Sequence, residues 1–321
     1  MNHFSDLTLS AVLKRNLAAH GFEKPTPVQA AAIPAARERR DLIATAQTGT
    51  GKTLAFVLPL LEQLLEPPVA QGVQAVILTP TRELALQIHE TFAKLAQGSP
   101  ARAAAVVGGL NENTQLRAIR QGAQALIATP GRLNDFLDRR LVKLGQVHTL
   151  VLDEADRMLD MGFLPAITRI LEATPPARQT MFFSATIEKS VAHLIGRHLK
   201  EPVKIAIGPA AKPAADIDLH LYEVDQTRKH ELLRALLHRE AGSFLVFTRT
   251  KHGADRLARR LAPEGVKAAA VHGGRTQNQR NRALRGFQEG SYRVLGATDV
   301  AARGIHVDGI AHVVNFALPQ V

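Results

Sequence analysis

Two short stretches carry residue types that could act on a triphosphate. They read Ala46-Gln47-Thr48-Gly49-Thr50-Gly51-Lys52-Thr53 and Val151-Leu152-Asp153-Glu154-Ala155-Asp156. A glycine-rich turn entering a helix points backbone N–H groups at phosphate oxygens, and the helix N-terminus adds positive potential. Thr48, Gly49, Thr50 and Gly51 would line this cradle, Lys52 would reach the β- and γ-phosphates, and the Thr53 hydroxyl would ligate Mg²⁺. At the tip of a second apolar strand, Asp153 would face the metal and Glu154 would aim an attacking water. Each stretch also has a plain structural reading. The first is a tight strand-to-helix turn, with Ala46 where the usual pattern opens on glycine. The second is an acidic helix start favoured by the helix dipole. Found together and in this order, they point to binding and splitting of a nucleoside triphosphate, with Lys52, Asp153 and Glu154 as the catalytic set.

Such residues need elements to hold them. Continuously apolar runs at 41–45, 73–79, 103–107, 125–128, 149–152, 181–183 and 203–207 alternate with amphipathic stretches such as 83–96 and 163–173. Runs of this kind suit strands buried on both faces of a parallel sheet, and the alternation is that of a doubly wound α/β fold. The run at 41–45 leads into the glycine-rich turn and the run at 149–152 into the acidic pair, and the two can lie side by side. Residues 208–215 hold two prolines and no periodicity, as a linker does. Beyond it, runs at 219–224, 243–247, 268–271, 293–297 and 312–316 restart the pattern, with helical stretches at 227–239 and 277–288 between them. The expectation is two doubly wound parallel-sheet domains, 1–207 and 218–321, joined by a linker at 208–217, the second short and incomplete.

Composition narrows the class. The chain has 321 residues, 45% of them hydrophobic, and no cysteine, which excludes disulfides and thiolate metal sites and fits a reducing cytoplasm. The opening Met1-Asn2-His3-Phe4-Ser5-Asp6 lacks a basic region followed by an apolar core, so no secretory leader is expected. The longest apolar stretch, 54–65, is interrupted by Pro59 and Glu62 and is too short to span a bilayer. The formal net charge of +11 is spread over both halves, so either half could face a polyanion. A basic but merely solvated surface would give the same charge.

The acidic run Asp153-Glu154-Ala155-Asp156 is the signature of the DEAD-box ATP-dependent RNA helicases, and other segments resemble that family in order and spacing. Gly21-Phe22-Glu23-Lys24-Pro25-Thr26-Pro27-Val28-Gln29 resembles its Q motif, with Phe4 upstream. Pro80-Thr81-Arg82-Glu83-Leu84-Ala85, Gly108-Gly109 and Thr129-Pro130-Gly131-Arg132 resemble its first-domain RNA motifs, and Ser184-Ala185-Thr186 its coupling motif. Later segments continue the series: Leu245-Val246-Phe247-Thr248-Arg249-Thr250, His272-Gly273-Gly274 with Gln277 and Arg280, and Ala297-Thr298-Asp299-Val300-Ala301-Ala302-Arg303-Gly304. The run Arg157-Met158-Leu159-Asp160-Met161-Gly162-Phe163 is most similar to the bacterial RhlE-like group.

The resemblance implies two RecA-like domains and ATP hydrolysis, stimulated by RNA and coupled to local unwinding of RNA duplexes. It implies that Gln29 reads the adenine edge, with Phe4 or Phe22 as an apolar neighbour of the base. Asp299 and Arg303 would lie near the nucleotide, and Asp156, Ser184 and Thr186 would couple its state to the second domain. Pro80, Thr81, Arg82, Gly108, Gly109, Thr129, Arg132, Gly274, Arg280 and Thr298 would contact RNA, with little sequence preference because such contacts fall on the backbone.

Two features depart from the family. His306 stands where the family usually has an Asp reaching the ribose. The chain reaches Val321 without the His-Arg-x-Gly-Arg-x-x-Arg segment that carries the family's arginine fingers. Loss of a transition-state arginine slows phosphoryl transfer by about 10³–10⁵, so slow turnover is expected of the chain as written. A non-enzymatic, ATP-dependent RNA clamp and a DNA helicase of the same superfamily are the alternatives.

Overall fold

A computed structural model describes residues 2–47, 49–66, 72–187, 189–207, 217–298, 307 and 309–317, with the backbone alone at 189, 190 and 277. Thr48, Asp299, Arg303, His306 and the expected linker except Ile217 lie outside the described residues. The chain divides into two compact units, Met1–Lys212 and Pro213–Val321.

The first unit is built on seven strands: β1 (Leu42–Thr45), β2 (Ala75–Leu78), β3 (Ala103–Val106), β4 (Ala125–Ala128), β5 (Thr149–Asp153), β6 (Gln179–Ser184) and β7 (Val203–Ala206). Their order is β3-β4-β2-β5-β6-β1-β7, and every adjacent pair is parallel. The continuously apolar runs follow from this burial on both sides, because neighbouring residues of one strand enter opposite cores. In β2, Ala75 and Ile77 join one cluster with Leu13, Ile33, Phe56 and Phe92 from the helices Ala11–Ala19, Pro27–Arg37, Lys52–Leu65 and Arg82–Ala96. Val76 and Leu78 join the opposite cluster with Phe136, Met158, Ile167 and Val191. The acidic strand β5 and the phosphate strand β1, which could have been neighbours, are separated by β6. Phe182 and Phe183 of β6 are both fully buried and feed the two opposite cores.

The second unit has four parallel strands, β8 (Phe244–Thr248), β9 (Ala268–Val271), β10 (Val294–Thr298) and β11 (His312–Asn315), in the order β11-β8-β10-β9. Leu233, Leu237, Leu257 and Leu261 cover one face, and Ala283 and Phe287 cover the other. The strand expected at 219–224 is absent. Leu219 is 78% and Leu221 95% exposed, and the segment joins neither sheet among the described residues. An alternating stretch becomes a strand only when a neighbour takes its backbone N–H and C=O groups.

The Phe56 and Phe183 rings pack at 5.1 Å with no exposure, tying the helix after the phosphate turn to β6. Phe183→Ala is expected to destabilise the first unit by about 3–5 kcal/mol. The shift of this unit's urea-unfolding transition measures it.

Candidate functional site

Because all seven strands are parallel, they end at one edge, and six of the loops leaving that edge carry candidate residues. Along β3-β4-β2 the loops bring Gly108-Gly109, then Thr129 to Arg132, then Pro80 to Arg82. Along β5-β6-β1 they bring Asp153 to Asp156, then Ser184 to Thr186, then the glycine-rich turn. One half of the edge thus gathers the candidate RNA residues and the other half the candidate nucleotide residues.

The turn after β1 enters its helix through Gly51, whose φ of 86° is a left-handed conformation open to glycine. A Cβ there would also stand 2.5 Å from the Gln29 Nε2. Gln29 is buried and braces the turn: its Oε1 accepts from the Thr26 N–H at 2.9 Å and its Nε2 donates to the Gly51 carbonyl at 2.9 Å. The Thr26 hydroxyl donates to the Thr50 carbonyl at 2.8 Å. Each end of the Gln29 amide uses one bond on the backbone and keeps a second N–H and a second lone pair. Phe4 is 3% exposed, its ring in the core, while Phe22 is half-buried at the margin of the same cluster.

Lys52 is buried, and its Nζ donates to the Ala46 carbonyl at 3.0 Å. Asp153, at the tip of β5, is 2% exposed. Burial pushes its carboxyl up to about 7; the Lys52 charge and the Glu154 N–H work against the rise, and the charges of Glu154 and Asp156 add to it. Glu154 caps the next helix with φ 52° and ψ 50°, a left-handed backbone that costs a non-glycine residue roughly 1–3 kcal/mol and concentrates at functional sites. Its Oε2 accepts from the Arg157 Nη1 at 2.6 Å. Lys52, Glu154, Asp156, Arg157, Asp160 and Ala185 line a cavity of about 140 Å³. Thr53 is half-buried in the first turn of the same helix as Lys52.

Asp156, on the wall of the same cavity, also reaches the loop after β6. Its Oδ2 accepts from the N–H groups of Ala185 (3.1 Å) and Thr186 (2.9 Å) and from the Thr186 hydroxyl (3.0 Å). The Ser184 hydroxyl accepts from the Asp156 N–H at 3.3 Å and donates to the Thr186 carbonyl at 2.7 Å. The Ser184 carbonyl in turn accepts from the Ala46 N–H at 3.0 Å. The three loops are therefore one hydrogen-bonded unit.

Among the candidate RNA residues, the Thr81 hydroxyl accepts from the Leu84 N–H at 3.3 Å as the N-cap of its helix, and Pro80 is buried beside it. Arg82 lies against Gly109, where φ is 76° and a Cβ would fall 2.5 Å from the Arg82 Nη1. Thr129 precedes the helix Pro130–Asp138. Arg132 sits over the Phe136 ring, 5.5 Å from its centroid, with Glu112 at 3.4 Å and Asp135 at 3.8 Å. In the second unit, Gly274 follows β9, Thr298 ends the adjacent β10, and Arg280 is half-buried on the helix Gln277–Gln288. The Gly274 N–H donates to His272 Nδ1 at 3.1 Å, so His272 Nε2 carries the proton it shares with Asp255 at 3.0 Å.

Four residues at these sites carried no expectation: Thr26, Arg157, Glu112 and Asp255. Thr26 with Gln29 has capping-box spacing, and Glu154 with Arg157 has helical i,i+3 spacing, so both pairs had a local signal. Glu112–Arg132 and Asp255–His272 join segments distant in sequence and had none.

The raised Asp153 pKa makes a stability statement with a definite sign. Between about pH 4 and 7 the folded chain keeps this proton and the unfolded chain loses it, so the contribution of Asp153 is complete below pH 4 and is lost as pH rises through 7. Asp153→Asn removes the titration. The stability of the variant relative to the parent is expected to rise by about 1.4 kcal/mol per pH unit across that window in ligand-free urea titrations.

Comparison with known proteins follows the same division. The family model for the DEAD/DEAH box helicase matches residues 26–194, and that for the helicase conserved C-terminal domain matches residues 228–321. The DEAD-box ATP-dependent RNA helicase CshA of Bacillus subtilis is 40% identical over 99% of the chain, and the ATP-dependent RNA helicase vasa of Drosophila melanogaster is 41% identical over all of it. The chain spans 64% and 49% of the lengths of these two relatives. Among solved structures, a DEAD box protein from Methanococcus jannaschii is 36% identical, with a TM-score of 0.61 over 100% of this chain and 86% of that one. Dbp5 of S. cerevisiae, bound to RNA and ADP BeF3, is 30% identical, with a TM-score of 0.87 over 100% of this chain and 82% of that one. On sequence, topology and site together, the chain belongs to the DEAD/DEAH box helicases and is of the DEAD-box type.

Proposed function

We propose that the chain is the core of an ATP-dependent RNA helicase, in which RNA-stimulated ATP hydrolysis drives local separation of RNA duplexes. The observation that carries this reading is the parallel edge of the first unit, where Lys52, Asp153 and Glu154 stand beside a row of candidate RNA residues. The run Arg157 to Phe163 supports reading the chain as similar to the bacterial RhlE-like group. We place it in the cytoplasm, in keeping with its lack of cysteine; among the described residues no helix is long and apolar enough to cross a membrane.

The residues present fit Mg²⁺ carried in with ATP. Among the described residues no cluster of three or more His, Asp or Glu could hold a metal. A cation carried in on substrate phosphates asks only a carboxylate and a hydroxyl of the protein. Asp153 and Thr53 are the side chains that would hold it, and a buried carboxyl raised to about 7 becomes a stable anion beside a cation. When bound, Mg²⁺ would neutralise charge on the phosphate oxygens.

The chain's own groups supply the rest. Lys52 exchanges the Ala46 carbonyl for a phosphate oxygen, while Gly49, Thr50 and Gly51 present N–H groups. The spare N–H and lone pair of Gln29 match the acceptor and donor of an adenine edge, and Phe22 offers the base an apolar neighbour. Glu154 orients the water once its carboxylate leaves Arg157. Changes at Asp153 and Glu154 pass through Asp156 to the loop at 184–186, linking nucleotide state to RNA grip. On the RNA half of the edge, Thr81, Arg82, Gly108, Gly109, Thr129 and Arg132 present backbone, hydroxyl and guanidinium donors to phosphates. Gly274, Arg280 and Thr298 do so from the second unit.

Lys52→Ala is expected to abolish Mg-ATP binding in calorimetric titrations. Glu154→Gln should keep binding while lowering RNA-stimulated turnover by about 10²–10⁴, the range of a positioned base. Unchanged turnover in that variant would remove Glu154 from its role. ATP-dependent RNA binding without measurable hydrolysis would make the chain a clamp rather than an enzyme. Equal stimulation by matched DNA and RNA oligonucleotides would argue for DNA instead, since only a 2′-OH contact tells the two apart.

A further inference from the structure

The helices Glu112–Arg120 and Pro130–Asp138 meet at the RNA half of the edge through one carboxylate and two guanidinium groups. Arg139 grips Glu112 with two parallel bonds, Nη2 to Oε1 at 2.6 Å and Nη1 to Oε2 at 2.8 Å. Arg132 Nη1 approaches the same Oε2 at 3.4 Å, its guanidinium steadied over Phe136. Asp135 is the second carboxylate of the group, 3.4 Å from Arg139 and 3.8 Å from Arg132. Glu112 keeps 32% and Arg139 46% side-chain exposure, so the cluster is open to a ligand. Glu112 lies three residues beyond Gly109, and Arg132 follows the neighbouring strand.

A planar anion held in a two-pronged grip by one arginine and touched by another is the arrangement by which arginines also bind phosphate. We propose that Glu112 occupies a phosphate-binding position between Arg132 and Arg139, and that the RNA backbone displaces it, making Arg139 a phosphate ligand alongside Arg132. The proposal rests on the RNA reading of this edge and adds to it a residue and a competitor. An exposed ion pair contributes little by itself, so exchanging its carboxylate for a phosphate is a near-balanced step. The internal carboxylate then tempers affinity for any polyanion and leaves the full grip to a strand that also satisfies Arg82 and the Gly108-Gly109 backbone.

The test is binding of a fluorescent oligouridylate to the full chain over a salt series, with thermal melts confirming that each variant folds. Glu112→Gln keeps the side chain's shape and one acceptor but removes the charge. It should bind about two- to fivefold tighter at low salt, the range an exposed ion pair can contribute. Its log–log salt slope should steepen by about 0.7 for each arginine released to phosphate. Adding Arg139→Gln to that variant should reverse both changes. If Arg82→Gln weakens binding while Glu112→Gln leaves affinity and slope unchanged or weakens binding, the proposal is overturned and the RNA reading stands. If neither the parent chain nor Glu112→Gln binds the oligonucleotide, both are overturned together.

Discussion

A lysine and an aspartate share a water-poor edge, and the rest of the first unit is arranged around that fact. Lys52 and Asp153 are 6% and 2% exposed, one opening the helix after β1 and the other ending β5, two strands separated by a third. Among the described residues neither is fully satisfied. Among the described residues the ammonium bonds to the Ala46 carbonyl, and the carboxyl has risen to about 7 because its neighbouring cation does not offset burial and two nearby acids. Two buried ionisable groups left in this condition reduce folding stability, and proteins keep such arrangements chiefly where a ligand completes them. A phosphate for the lysine and a cation for the aspartate would do so in one binding event.

The intervening β6 turns this pair into something more than a pocket. Its last residue, Ser184, bonds through its carbonyl to the loop after β1 and through its hydroxyl to the loop after β5. Three donors from 185 and 186 converge on one Asp156 oxygen. Charge-assisted bonds of this kind are short and directional. The loop at 184–186 therefore cannot shift without changing what lies beside Asp153 and Glu154. An adjacent pair of β1 and β5, which the sequence allowed, would give the same catalytic residues and no such linkage.

Much of this was legible before any coordinates, for identifiable reasons. Lys52, Thr53, Asp153 and Glu154 sit at strand tips, and strand tips are marked by apolar runs ending in turn residues. Which strand separates β1 from β5 was not legible, because the runs at 149–152 and 181–183 are both apolar and both strands are buried throughout. The segment 219–224 reads as a strand by alternation, yet alternation reports amphipathicity and not the presence of a partner. Gln29 stood out as a possible base reader, while its brace on Gly51 did not, since that bond depends on a glycine twenty-two residues away. The ion cluster of Glu112, Arg132 and Arg139 had no local signal, because it joins two helices whose strands become neighbours only in the folded sheet.

The arginines of the candidate RNA half show why net charge is a poor guide to where a polyanion would bind. Arg82 and Arg132 lie on the same edge, each after a strand and a threonine, and each adds one to the net charge of +11. Arg132 is already facing two carboxylates and an aromatic ring. Arg82 lies instead against a glycine backbone, and among the described residues its buried Nε has no hydrogen-bond partner. A buried N–H without an acceptor costs on the order of 1–3 kcal/mol, so on the proposed reading Arg82 would gain more than Arg132 from a phosphate that lets its guanidinium reorient. Gly109 makes this possible, since any side chain there would collide with the guanidinium. On the proposed reading, affinity at this edge would follow from which cations the fold leaves unmatched rather than from how many it displays.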